Sequence, residues 1–172
     1  DLASMIRSVP DFPKKGIVYK DISTLCKDPA AFKKAVSEMT EPYKDKGIDK
    51  VVGIESRGFI FGGAISCLLD AGFVPVRKPG KLPADTISEA YELEYGFDEI
   101  EIHKDSIEPG EKVLLVDDLM ATGGTAAAAY RIIKQLRGEV AGAVFLIELG
   151  FLNGRKKLEG LPLHTLIRYE EE

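Results

Sequence analysis

Apolar positions along the chain fall into short unbroken runs separated by longer stretches with helical spacing. Val113, Leu114, Leu115 and Val116 follow the turn signal Glu108-Pro109-Gly110 and are too few for a helix but branched enough for a buried strand. Lys50 to Ile54, with Val51, Val52 and Ile54, reads as a second buried strand, and Val140 to Leu149 as a third. Phe73 to Val76 is a short strand that Pro75 marks as irregular or at an edge, and Leu163 to Tyr169 pairs as a last edge strand. Between the strands lie helices. Asp28 as N-cap with Pro29 opens one that carries Phe32, Val36, Met39 and Tyr43 on one face and ends at Gly47. Phe59 to about Leu69 forms another, and Ala126 to Arg137 a third, with Ala126, Ala129, Tyr130, Ile133 and Leu136 at helical spacing before Gly138. Leu2 to Ser8 predicts a short amphipathic helix stopped by Pro10, and Ile17-Val18-Tyr19 an extended edge segment. Thr86 to Tyr95 and Glu99 to His103 alternate around Gly96-Phe97-Asp98, which predicts a β-hairpin.

Strands that alternate with helices predict an α/β fold: a mainly parallel sheet with helices on both faces and right-handed crossovers. In such sheets ligands gather beyond the carboxyl ends of the strands. The stretch KVLLVDDLMATGGT, from Lys112 to Thr125, therefore draws attention, because Asp117 and Asp118 stand where a strand is expected to end. Ala121-Thr122-Gly123-Gly124-Thr125 then opens onto a helix. The first turn of a helix leaves N–H groups without partners and carries a partial positive charge, so this turn suits a phosphate. Carboxylates repel a phosphate, so the aspartates are expected to face sugar hydroxyls or a hydrated Mg²⁺. The implied ligand has a phosphate at one end and a diol or metal-bound group at the other. No Lys-Ser or Lys-Thr follows a glycine at Walker A spacing, and no Gly-x-Gly-x-x-Gly occurs here, which weighs against nucleoside triphosphates and dinucleotides.

Two further segments carry positive charge at expected strand ends. Glu55-Ser56-Arg57-Gly58 stands between strand and helix, so Arg57 and nearby N–H groups suit a second anion. Arg77-Lys78-Pro79-Gly80-Lys81-Leu82-Pro83 is basic and rich in turn formers, suited to a mobile lid that meets an anionic substrate.

Composition narrows the rest. At 172 residues the chain fits one domain, 1–172, with a core that needs no disulfide or metal clip. A formal charge of −5 and a pI near 5.2 weigh against general nucleic-acid binding. Cys26 and Cys67 have no metal-ligand spacing and read as small buried thiols. No targeting segment or apolar run of membrane length is visible, so a reducing cytoplasm and no membrane partner are expected.

The run of four apolar residues, Asp117-Asp118, Leu119-Met120 and Ala121 to Thr125 resembles the phosphoribosyl-diphosphate (PRPP) motif of the type I phosphoribosyltransferases. The resemblance implies that fold, with a small hood at about 1–25 and a hairpin lid at about 78–103. It implies that Asp117 and Asp118 meet the ribose hydroxyls and that Ala121, Thr122, Gly123, Gly124 and Thr125 hold the 5′-phosphate. Glu-Ser-Arg-Gly-Phe is similar to the family's diphosphate loop, which assigns Ser56 and Arg57, with Arg77, Lys78 and Lys81 from the lid, to diphosphate. D-F-P-x-x-G-I-x-Y-K-D-I is similar to the base-recognition segment of the adenine-specific branch. Carried over by position, Val18 and Lys20 give main-chain contacts and Tyr19 the stack, with Tyr and Lys standing where relatives often have Phe and Arg. Leu93-Glu94-Tyr95-Gly96 matches that branch's L-E-Y-G, which gives Glu94 the catalytic proton-transfer or base-positioning role.

The resemblance thus implies transfer of phosphoribosyl from PRPP to adenine, forming AMP and diphosphate. It also implies that Mg²⁺ is carried by substrate oxygens rather than by a protein cage, and that the assembly is a homodimer. Two alternatives stay open at this stage. One is a hypoxanthine, guanine or xanthine transferase with the same PRPP machinery, and the other a non-catalytic PRPP-sensing regulatory module. Phe151 to Glu159 shows no catalytic feature.

Overall fold

The computed structural model describes residues 1–93 and 95–172. Its centre is a five-stranded parallel sheet in the order β4 (Gly72–Val76), β3 (Lys50–Ile54), β7 (Lys112–Met120), β8 (Glu139–Leu149) and β9 (Leu163–Tyr169). β3, β7 and β8 are buried apolar runs, and the two edges fall at β4, which contains Pro75, and β9. Helices α2 (Pro29–Thr40) and α3 (Gly58–Leu68) cover one face with Val51, Leu114, Val116 and Leu146 beneath them, while α4 (Gly124–Gln135) covers the other over Val52, Val113, Leu115 and Phe145. Burial of both faces is why these strands read as continuous rather than alternating apolar runs.

Several boundaries differ from expectation for local reasons. Asp28 caps α2 by accepting from the Ala31 amide at 3.0 Å, but the helix stops at Thr40 rather than running toward Gly47. Pro42 has no N–H to continue the ladder, and a short 3₁₀ turn, Glu41–Tyr43, keeps Tyr43 in the core. The expected helix at Leu2 to Ser8 is a 3₁₀ turn, Leu2–Met5, followed by β1 (Arg7–Val9). β1 pairs antiparallel with β2 (Tyr19–Asp21), and Arg7 binds Asp21 across the pair at 2.6 Å. That pairing is between segments too far apart in sequence for local periodicity to announce. A single helical turn, α1 (Ser23–Cys26), follows.

The hairpin forms as expected from β5 (Thr86–Glu92) and β6 (Phe97–His103). One face, with Tyr91, Ile100 and Ile102, is buried in the core shared with α4, and Arg77 bridges to Glu101 so that β6 is tied to the end of β4. β7 is longer than the apolar run predicts, because Asp117 to Met120 continue its pairing with β8.

Beyond β8 the chain turns through Gly150–Leu152 and Gly154–Leu158, both 3₁₀. Glu148, only 2% exposed, accepts two bonds from Arg155 at 2.8 and 2.9 Å, one from Thr165 at 3.0 Å and one from Arg168 at 3.0 Å. Burial pushes its pKa up, but the Arg155 and Thr165 hydrogen bonds outweigh this and hold it below the usual glutamate range. Its folded-state pKa being depressed, Glu148 contributes stability above the unfolded value of about 4.3 and loses it as pH falls through the folded value. Glu148→Gln is expected to cost about 2 kcal/mol in urea unfolding at neutral pH, since two half-solvated arginines lose their shared anion. The gap from the unsubstituted chain should narrow as the titration is repeated toward pH 3.

Candidate functional site

Because the sheet is parallel, β3, β4, β7 and β8 deliver their following residues to one edge. β3 and β7 pair in register, Gly53 opposite Val116, so the segment Glu55 to Gly58 lies beside Asp117 and Asp118. The peptide bond between Glu55 and Ser56 is cis. Gly58 opens α3 and has to be glycine: a Cβ there would stand 2.7 Å from Asp117 Oδ1 and 3.2 Å from Asp117 Cα. The helix therefore begins directly against the aspartate pair.

The two carboxylates differ. Asp117 is partly exposed and accepts from the Asp118 amide through Oδ1 at 2.8 Å. Desolvation raises its pKa well above the usual aspartate value, and the charge of Asp118 adds to the rise. Asp118 is 5% exposed. Arg57 Nε approaches its Oδ2 to 2.6 Å, but the N–H does not point at the oxygen, so the buried atom has an ion-pair partner and no hydrogen-bond donor. Two adjacent carboxylates thus face one guanidinium, which leaves room for hydroxyl donors or for a cation. Mg²⁺ binds through one or two carboxylates plus phosphate oxygens and water, and this arrangement fits that habit. Among the described residues no group of three His, Cys, Asp or Glu side chains is gathered to hold an ion.

The turn after β7 is built for an anion. α4 begins at Gly124, two residues earlier than its apolar spacing predicts, and no side chain caps it. The first-turn amides of Gly124, Thr125 and Ala126 have no acceptor within the helix. They surround a crevice of about 100 Å³ that Asp117 and Ala121 to Ala126 line. Gly123 reaches this geometry at φ 86°, and a Cβ on it would lie 2.6 Å from the Gly154 carbonyl oxygen. A Cβ on Gly154 would in turn meet the Ala121 oxygen at 2.8 Å. The turn after β8 therefore backs the anion crevice, and the Glu148 to Arg155 fork holds that turn in place.

The cationic residues have partners of their own. Arg57 Nη1 donates to the Tyr19 hydroxyl at 2.6 Å and to the Lys20 carbonyl at 3.3 Å. Glu55 accepts from Arg77 Nε at 3.2 Å and from the Lys78 amide at 2.7 Å. Burial raises the Glu55 pKa, yet the Lys78 amide and Arg77 together bring it below the usual range. The Lys78 ammonium binds Asp98 and, at 2.8 Å, the Tyr91 hydroxyl. Burial lowers its pKa, but bonds to Asp98 and Tyr91 outweigh that and raise it, so the charge is kept. Ser56 is exposed at the start of α3, and Lys81 forms no ion pair among the described residues.

Val18 and Lys20 line a cleft of about 180 Å³ whose far wall is Leu149, Phe151 and Leu152. Tyr19 is absent from it. Strand alternation turns its ring to the other side, edge-on to Phe12 at 5.2 Å, in a separate hollow with Val9 and Asp21. The expected stack of Tyr19 on a base is therefore not the geometry found. The Lys20 ammonium is likewise turned inward, 3.2 Å from the Ser8 hydroxyl and 4.3 Å from the Tyr169 ring centroid. Glu94 lies outside the described residues.

Leu149, Phe151, Gly154 and Arg155 are the site neighbours that the sequence reading passed over. Their signal was position: they follow an apolar strand of a parallel sheet, at the same carboxyl edge as the aspartates.

Comparison with known proteins gives the same account of the chain. The phosphoribosyl transferase domain matches residues 26–161. An adenine phosphoribosyltransferase of Halothermothrix orenii is 57% identical over 98% of this chain and 99% of its own length. The crystal structure of the enzyme from Rhodothermus marinus superposes with a TM-score of 0.95 at 53% identity, covering 98% of this chain and 96% of the other. That of Saccharomyces cerevisiae, complexed with an imino-altritol bisphosphate and adenine, superposes at 0.90 with 42% identity and 96% of both chains covered. The chain belongs to the phosphoribosyltransferase family and, within it, to the adenine phosphoribosyltransferases.

Proposed function

We propose that the protein transfers the 5-phosphoribosyl group of PRPP to adenine, forming AMP and diphosphate. The observation that carries this reading is one crevice lined both by an uncapped helix N-terminus and by Asp117, with Asp118 beside it in the chain. A sugar phosphate answers both needs at once, with phosphoryl oxygens for the amides and vicinal hydroxyls for the carboxylates.

In this reading Ala121 to Thr125 hold the 5′-phosphate and Asp117 and Asp118 accept from the ribose hydroxyls. Ser56, Arg57, Arg77, Lys78 and Lys81 receive the diphosphate. The 180 Å³ cleft takes adenine, its edge read by the main chain of Val18 and Lys20 and its faces covered by the side chains of Val18 and Phe151 or Leu152. Adenine N9 forms a bond to the anomeric carbon as the carbon–oxygen bond to diphosphate breaks, the bonding electrons leave with diphosphate, and the purine loses a proton. Positive charge develops on the ribose on the way, as in glycoside cleavage, and the aspartates lie where that charge appears. Mg²⁺ enters with PRPP and neutralises diphosphate oxygens when bound. Glu94 manages the purine proton, and the hairpin, as part of a lid at about 78–103, excludes water that would hydrolyse PRPP.

Residues 1–172 act as one domain, with the hood at about 1–25, and the domain works as a homodimer. Ile60 on α3, 44% exposed, Leu68 on α3, 57% exposed, and Phe73 on β4, 37% exposed, supply an apolar surface for a second copy. We place the reaction in the cytoplasm, where Cys26 and Cys67 stay reduced.

Purified protein mixed with adenine, PRPP and Mg²⁺ is expected to release AMP and diphosphate in equal amounts. Faster turnover of hypoxanthine, guanine or xanthine in competition would overturn the base assignment. Glu94→Ala should lower kcat roughly 10²- to 10⁴-fold while PRPP affinity, read by calorimetry, changes little. In sedimentation the protein should have about twice the 18.8 kDa chain mass, and Ile60→Asp with Leu68→Asp should halve it.

A further inference from the structure

The geometry points to Tyr19 as a positioning residue for Arg57, acting through its hydroxyl on the diphosphate rather than through its ring on the purine. This rests on the reading of Arg57 as a diphosphate ligand.

A guanidinium has five N–H donors in a rigid planar fork. In Arg57 the Nε side faces Asp118, 2.6 Å away, and Nη1 is committed to the Tyr19 hydroxyl at 2.6 Å and the Lys20 carbonyl at 3.3 Å. Nη2 has no partner among the described residues, so one tine of the fork is free for an incoming anion. The Tyr19 bond is the shorter of the two on Nη1. Its ring centroid also lies 5.0 Å from Arg57 Cζ, which adds a cation–π attraction to the same tether.

An arginine that must be ordered from a free side chain loses about 2 kcal/mol of rotamer entropy on binding. Here that ordering is done beforehand by a residue from β2, 38 positions away in sequence. Tyr19 is itself held, edge-on to Phe12 and outside the cleft lined by Val18 and Lys20. One short strand thus serves two ligands: the Tyr19 hydroxyl and the Lys20 carbonyl fix the guanidinium, while its other side, with Val18, faces the base cleft.

Tyr19→Phe removes the hydroxyl and keeps the ring, and Tyr19→Leu removes both. Initial rates give KM for PRPP and for adenine separately, and calorimetry gives PRPP affinity without turnover. Tyr19→Phe is expected to weaken PRPP binding and raise its KM roughly fivefold to tenfold, the usual net worth of one intramolecular hydrogen bond, with KM for adenine within about twofold. In an Arg57→Lys background the same change should add almost nothing, because the tethered fork is already gone. Tyr19→Phe binding PRPP like the unsubstituted protein would sink the inference. So would a fall in melting temperature with neither KM moved, or Tyr19→Leu raising KM for adenine alone, which is the signature of a stacking ring. Should the unsubstituted protein bind PRPP but make no AMP, the transferase reading fails while the calorimetric comparison still decides the role of Tyr19.

Discussion

Two carboxylates stand side by side at the end of β7, and one guanidinium answers them. Around that imbalance the rest of the edge is arranged. Arg57 is brought to Asp118 because β3 and β7 pair in parallel register, and α3 can start there only because Gly58 presents no side chain to Asp117. Asp117 is left with a raised pKa and Asp118 with a buried oxygen that no donor reaches. Such a pair destabilises the empty protein and is relieved by whatever brings hydroxyl donors or positive charge. The aspartates thus stand at some expense to the fold, a pattern that marks candidates for a working site.

Stability is recovered behind the site. The Glu148 carboxylate accepts from three side chains and anchors the turn whose Gly154 lies against Gly123 and Ala121. Contact there is backbone to backbone, too close for any side chain on either glycine. The crevice at the start of α4 is consequently shaped from behind by a turn that does not line it, and its amides stay open on the front because no side chain caps α4.

The sequence carried much of this, and its failures have physical causes. Apolar runs bounded by turn residues located all five strands of the central sheet, most plainly β3, β7 and β8, whose burial on both faces leaves a continuous apolar run. Asp117, Asp118 and the turn from Ala121 to Thr125 were legible because charge and glycine interrupt such a run abruptly. β1 was not, because a three-residue strand is made by its partner: Arg7–Val9 is extended only through pairing with Tyr19–Asp21. The direction of Tyr19 was hidden for a related reason. Alternation says that Tyr19 and its neighbours Val18 and Lys20 face opposite ways, but only the fold says which way holds the cleft. Glu148 and Arg155, seven residues apart, looked like two charges on a strand and a loop; their pairing depends on a reversal through two 3₁₀ turns that periodicity does not encode.

The cations raise a last point about energetics. Arg57, Arg77 and Lys78 are all paired with carboxylates in the free protein: Asp118, Glu55 and Asp98. A diphosphate bound at this edge would exchange places with the anionic partners of Arg77 and Lys78, and would add a partner only at Lys81 and at Nη2 of Arg57, so its binding is not a simple gain of Coulomb energy. Exchange limits the net free energy and favours release of diphosphate, since Arg77 and Lys78 each have a partner to return to. The Lys78 pair also ties the hairpin to the segment after β4, because Asp98 lies on β6.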